Sequence, residues 1–161
     1  MTKKHKVEKT RERSLAKGLL AGLIGGVIAT AAKSIAERIY PPQAHGEPVP
    51  PALPTGKLAG YELAVREKTA EVESTHWGFG ALAGAAYGAV VEYYPAANSK
   101  DGAAFGMALS SLTHGTALPA FGLSVAPEDQ TPRERSSEMA SLVVFGVVTE
   151  TVRRVVRKML G

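Results

Sequence analysis

Cysteine is absent from the 161 residues, which removes disulfides, thiolate metal sites and cysteine nucleophiles and leaves the redox compartment open. Aromatic residues are sparse, at 6%, and they are not interleaved with the basic ones. The formal net charge of +4 therefore lacks the stacking platform that nucleic acid would need, and no nucleic-acid partner is expected. His5, His45, His76 and His114 are scattered without the i, i+4 spacing of a helical zinc pair. No metal or other cofactor is expected. Ser110, Ser111 and Thr113 lie near His114, but hydroxyls in an apolar helix bond back to the preceding turn. No nucleophile with a general base assembles, so the chain reads as non-enzymatic. The glycines are not phosphate loops, since no strand precedes them and no Lys-Ser or Lys-Thr follows as a Walker motif requires.

Charge is also missing from long stretches. It crowds into residues 1–17, 57–73, 128–138 and 153–158, and four apolar segments rich in alanine and glycine lie between, at about 18–40, 76–94, 102–125 and 138–160. A hydrophobic content of 45% is common to soluble proteins, so the distribution carries the reading. It predicts an all-α, four-helix transmembrane bundle over residues 18–161, preceded by a basic cytoplasmic arm, 1–17. A span needs about 20 mostly apolar residues. The uncharged cores of segments one, two and four are shorter, so their ionisable ends must lie inside the bundle or at the interface. The basic run before Gly18 resembles the start of a signal peptide, but the helix pattern continues through Lys33 and Glu37 with no cleavage site, which favours a retained first span.

Lys and Arg accumulate on the cytoplasmic side of a membrane. The arm, Lys100 and the tail with Arg153, Arg154, Arg157 and Lys158 fall together in a four-span arrangement, so a bacterial inner-membrane protein with both termini in the cytoplasm is expected. Residues 41–54 hold six prolines and predict an extended outer loop. Residues 58–72 alternate Leu58, Tyr61, Leu63, Val65 and Val72 with charges and predict a short amphipathic surface helix.

A ladder of four-residue steps recurs on the segments. The first has Gly18, Gly22, Gly26 and Thr30, with Lys33 and Glu37 beyond. The second has Gly80, Gly84, Gly88 and Glu92; the third has Gly102, Gly106, Ser110 and His114; the fourth has Glu138, Leu142, Gly146 and Glu150. Positions i and i+4 share a helix face, and close backbone approach at small residues is what packs helices in lipid. Gly22, Gly26, Gly80, Gly84, Gly88, Gly102, Gly106 and Gly146 are therefore predicted to face inward, carrying the ionisable groups with them. Tyr87-Gly88 before Glu92 and Phe145-Gly146 before Glu150 are a faint internal echo.

These motifs, in order, resemble the YagU-like small inner-membrane proteins of bacteria, a domain of unknown function. The resemblance rests on Lys33-Ser-Ile-Ala-Glu37 with Pro41-Pro42, Thr75-His76, Glu92-Tyr-Tyr-Pro95, His114 with Pro119 and Gly122, Ser137-Glu138, and Thr149-Glu150-Thr-Val-Arg153-Arg154. It implies an integral membrane protein with polar positions similar to those above, and supplies no substrate. The leading expectation is a polar interior lined by Lys33, Glu37, His76, Glu92, His114, Glu138 and Glu150 that moves protons or a small ion, since intramembrane ionisable groups mark such paths. The alternative is a structural or assembly subunit that docks a larger membrane partner. The lipid bilayer is the expected partner in both, with a second copy of the chain or another membrane protein beside it.

Overall fold

The computed structural model describes residues 12–41, 58–113 and 131–161, with 58–73 described by backbone only. Among these residues there are four α-helices and no strand: α1 Leu15–Ile39, α2 Leu58–Tyr93, α3 Ala103–Leu112 and α4 Pro132–Met159, with a 3-10 turn, Pro95–Gly102, between α2 and α3. The proline-rich loop, His114, Pro119, Gly122 and the rest of the third apolar segment lie outside the described residues.

Local chemistry sets the helix ends. Ser14 is extended and its hydroxyl accepts from the Lys17 amide at 3.4 Å, an N-cap that starts α1 ahead of the apolar run. Pro41-Pro42 forbids continuation after Tyr40. α4 starts with a capping box: the Glu134 amide donates to Thr131 Oγ1 at 3.2 Å, and the Thr131 amide donates to Glu134 Oε2 at 2.8 Å. Pro132 occupies the first turn, where its missing N–H costs nothing. The fourth helix therefore begins well before position 138.

One expectation is corrected. Residues 58–72 are not a separate surface helix, because Leu58–Tyr93 is a single helix of 36 residues. No proline interrupts this stretch, and the charged part is rich in Ala, Glu, Lys and Arg, which are good helix formers, so nothing in the sequence stops the helix between the two parts.

Glycine sets the packing. α1 and α2 run antiparallel with their backbones in contact: a Cβ on Gly18 would stand 2.9 Å from the Gly88 carbonyl, one on Gly22 2.8 Å from Gly88 Cα, and one on Gly26 3.0 Å from Gly84 Cα. α3 and α4 repeat the arrangement, with a Cβ on Gly146 falling 2.7 Å from the Gly106 amide. Each pair also ends on a carboxylate, since Glu92 stands beside Gly18 and Glu150 beside Gly102. The two hairpins thus share one design. α4 also closes on α1, where a Cβ on Gly25 would meet the Thr149 carbonyl at 2.7 Å. Between α2 and α3 aromatic rings fill the space instead: Tyr87 stacks on Phe105 at 4.2 Å, and Phe105 lies 6.1 Å from Phe145.

The Pro95–Gly102 turn reverses the chain through left-handed backbone at Lys100, Asp101 and Gly102, with φ of 54°, 53° and 89°. Gly102 is required there twice, by its φ and by the nearby Glu150 Cβ, which a Cβ on Gly102 would meet at 2.8 Å.

Many large apolar side chains point outward, while small and polar ones take much of the interior. Leu20, Leu23, Ile35, Phe79, Leu82 and Val155 are exposed, whereas Arg157, Glu150, Thr30, Thr149, Ser137 and Ser141 are the largest fully buried side chains. The apolar core is small, built on Ala29, Leu109, Leu142 and Phe145. Among the described residues, α1 is the one helix long and apolar enough to cross a membrane by length and composition.

Candidate functional site

The interior polar groups form two clusters at opposite ends of the bundle. From Gly18 to Lys33 the helical rise of about 1.5 Å per residue separates them by roughly 22 Å.

The first cluster gathers the start of α1, the ends of α2 and α4 and the turn before α3. Glu92 receives Arg157 through Nε at 2.9 Å and Nη2 at 2.6 Å, and it accepts the Ser14 amide at 2.9 Å. Arg157 Nη2 also donates to the Glu12 carbonyl at 2.9 Å. The pair therefore holds both a donor and an acceptor of the backbone leading into α1. Arg157 is 2% exposed, so the pair is desolvated, and that cost is offset by the two-point contact to Glu92 together with the backbone bonds at Ser14 and Glu12.

Glu150 is 0% exposed and lies against Arg153 Nε at 2.6 Å, Arg154 Nε at 2.5 Å and Asn98 Nδ2 at 3.2 Å. The Tyr87 side chain of α2 also faces it. Arg154 extends outward to Asp101 at 2.7 Å, which pins the strained turn. Lys17 Nζ reaches the Gly161 carbonyl at 3.0 Å. Arg157 Nη1 and Thr149 Oγ1 are buried with no hydrogen-bond partner among the described residues.

The second cluster sits where α1 ends and α4 begins. Lys33, buried, pairs with Glu37 on the next turn. Glu37 accepts the Ser141 hydroxyl at 3.4 Å, and Ser141 also donates to the Glu138 carbonyl at 3.0 Å. The Ser137 hydroxyl donates to the Tyr40 carbonyl at 2.5 Å, and Arg133 donates to the Pro41 carbonyl at 3.3 Å with its guanidinium 5.1 Å from the centre of the Tyr40 ring. Glu138 and His76 are half-buried, His76 one turn before Gly80 on α2. His114 cannot be placed, since it lies outside the described residues.

Glu92 and Glu150 thus share one end, and Lys33, Glu37 and Glu138 the other. The sequence reading missed Arg157, Asn98, Ser14 and Tyr87. Arg157 had a usable signal: it continues the α4 stripe through Leu142, Gly146, Glu150 and Arg153. Ser14 and Asn98 had none, since their roles depend on chain ends brought together only by folding. No group of three His, Asp or Glu that could hold a metal ion occurs among the described residues.

No curated protein and no solved structure matches the chain. A family model matches residues 27–151, a range that contains Lys33, Glu37, Glu92 and Glu150 and stops short of Arg153, Arg154 and Arg157. The chain therefore belongs to the family described as protein of unknown function, DUF1440.

Proposed function

We propose that this chain is a non-enzymatic, multi-pass protein of the bacterial inner membrane, with four spans and both termini in the cytoplasm. The observation that carries this reading is an inverted burial: many leucine, isoleucine and valine side chains are exposed on the outside, while the largest fully buried side chains are Arg157, Glu150, Thr30, Thr149, Ser137 and Ser141. In water that arrangement forfeits roughly 1.5–3 kcal/mol for each large apolar side chain left exposed. In lipid it is the favourable one, because glycine contacts supply the packing and the charges avoid the acyl chains. The resemblance to YagU-like inner-membrane proteins supports the same reading. Carbonate extraction is the test: the protein stays in the pellet, and its release into the supernatant would overturn the reading.

Within that bundle, the cluster best suited to proton- or ion-linked work is the outer one, with Lys33, Glu37, His76, Glu138 and, from the sequence, His114. Glu92 and Glu150 are already held by arginines, which suits them to holding the cytoplasmic end shut. Proteoliposomes under a pH gradient test this: a Glu37→Gln/His114→Ala variant loses proton flux that the wild type sustains, and equal flux in both rules the role out. The assembly reading draws on those same arginine-held carboxylates, which favour a static bundle. On that reading the glycine rows are occupied within the chain, so a partner would dock on the apolar outer face of α2 at Phe79, Leu82 and Val90. Leu82→Arg then abolishes co-purification of the partner while His114→Ala leaves it intact.

A further inference from the structure

We infer that the end of the bundle carrying the start of α1, the Pro95–Gly102 turn and the α4 terminus is a docking surface for anionic phospholipid headgroups. This rests on the membrane reading above and adds a lipid class to it.

Charge asymmetry is the first ground. Residues 1–17, Glu92, Lys100, Asp101 and the α4 stretch from Glu150 to Lys158 contain 12 Lys or Arg against 5 Asp or Glu, while the rest of the chain contains 7 against 10. Among the described residues, the fold gathers the stretch from Glu12 to Lys17, the turn and the α4 terminus at one end through the Ser14–Glu92, Glu12–Arg157, Lys17–Gly161 and Asp101–Arg154 contacts.

The second ground is where the acids go. Glu92 and Glu150 are turned inward and taken up by Arg157 and Arg153, so they do not neutralise the rim. Arg13, Lys100 and Lys158 are exposed and have no ion-pair partner among the described residues. The third ground is that the Glu92–Arg157 pair clamps the backbone at Ser14 and Glu12, which holds Arg13 at this end. A rim of exposed basic residues, Arg13, Lys100 and Lys158, is suited to a leaflet of negative surface potential, where each Lys or Arg near the surface contributes about fivefold in affinity.

The test uses the full chain in neutral detergent with fluorescent phosphatidylglycerol and phosphatidylcholine, read by anisotropy. Phosphatidylglycerol binds at least about tenfold tighter at low salt, and the preference shrinks as the Debye length falls to about 3 Å at 1 M salt. An Arg13→Gln change weakens it by up to about fivefold. A Lys100→Gln/Lys158→Gln variant, altered within the described fold, weakens it too, with unfolding unchanged. Equal binding of the two lipids overturns the inference. So does displacement of phosphatidylglycerol by inorganic phosphate at equal concentration, which marks a free-phosphate site, or tighter binding of an RNA oligonucleotide. Carbonate extraction separates the two levels: a protein retained in the pellet but indifferent to lipid charge loses this inference alone, and one released loses the membrane reading as well.

Discussion

Gly78 and Gly84 lie on the same helix and call for opposite responses to one added methyl group. At Gly78 a Cβ meets nothing within 4 Å, while at Gly84 it would stand 2.6 Å from Gly26 Cα and 2.8 Å from the Gly26 amide, close also to the Gly22 carbonyl. All three obstacles are backbone, so no rotamer change relieves the clash, and α1 must move off α2 by several tenths of an ångström or more. Both substitutions gain similar helix propensity, up to ~1 kcal/mol for Gly→Ala. The difference between the variants cancels that gain and isolates the packing loss, which overpacking of a tight site sets at about 1–3 kcal/mol. Gly78→Ala is therefore neutral to stabilising, and Gly84→Ala falls below it by that margin. Unfolding in mixed micelles of neutral detergent and dodecyl sulfate, followed by far-UV circular dichroism, measures both under identical conditions. A gap under about 0.5 kcal/mol, within ordinary surface-site variation, would refute the claim that backbone contact holds α1 on α2.

Glu92→Gln leaves Arg157 buried without its counter-charge and costs about 3–5 kcal/mol, and Arg157→Met costs a similar amount. The Glu92→Met/Arg157→Met double variant recovers most of the loss in the same unfolding assay; additivity of the single losses would deny the coupling. Thr131→Ala removes the side chain that caps α4 and lowers stability by about 1 kcal/mol, with amide exchange rising first at Glu134. Carbonate extraction and proton flux test the proposed function, and lipid-selective anisotropy tests the charged rim.

The rows of small residues are legible in the sequence because glycine at four-residue intervals has few other uses in a long helix. Which rows meet is not. Gly22 could have faced Gly106 or Gly146 as readily as Gly84, since every row carries the same small-residue code. Gly78 and Gly80 are equally glycine on paper, yet only Gly80 touches a neighbouring helix. The helix starts at Ser14 and Thr131 were hidden for another reason: hydropathy marks the apolar stretch, whereas capping hydroxyls set the first turn. The Glu92–Arg157 pair joins groups 65 residues apart, a separation that periodicity cannot span.

That separation has a consequence during synthesis. Arg157 follows Glu92 by 65 residues, so a growing chain carries Glu92 before its counter-charge exists. A copy truncated after α3 would keep an orphaned carboxylate at the foot of α2 and an α1 stripped of its second neighbour, a half-made product open to proteases that leave the finished one alone.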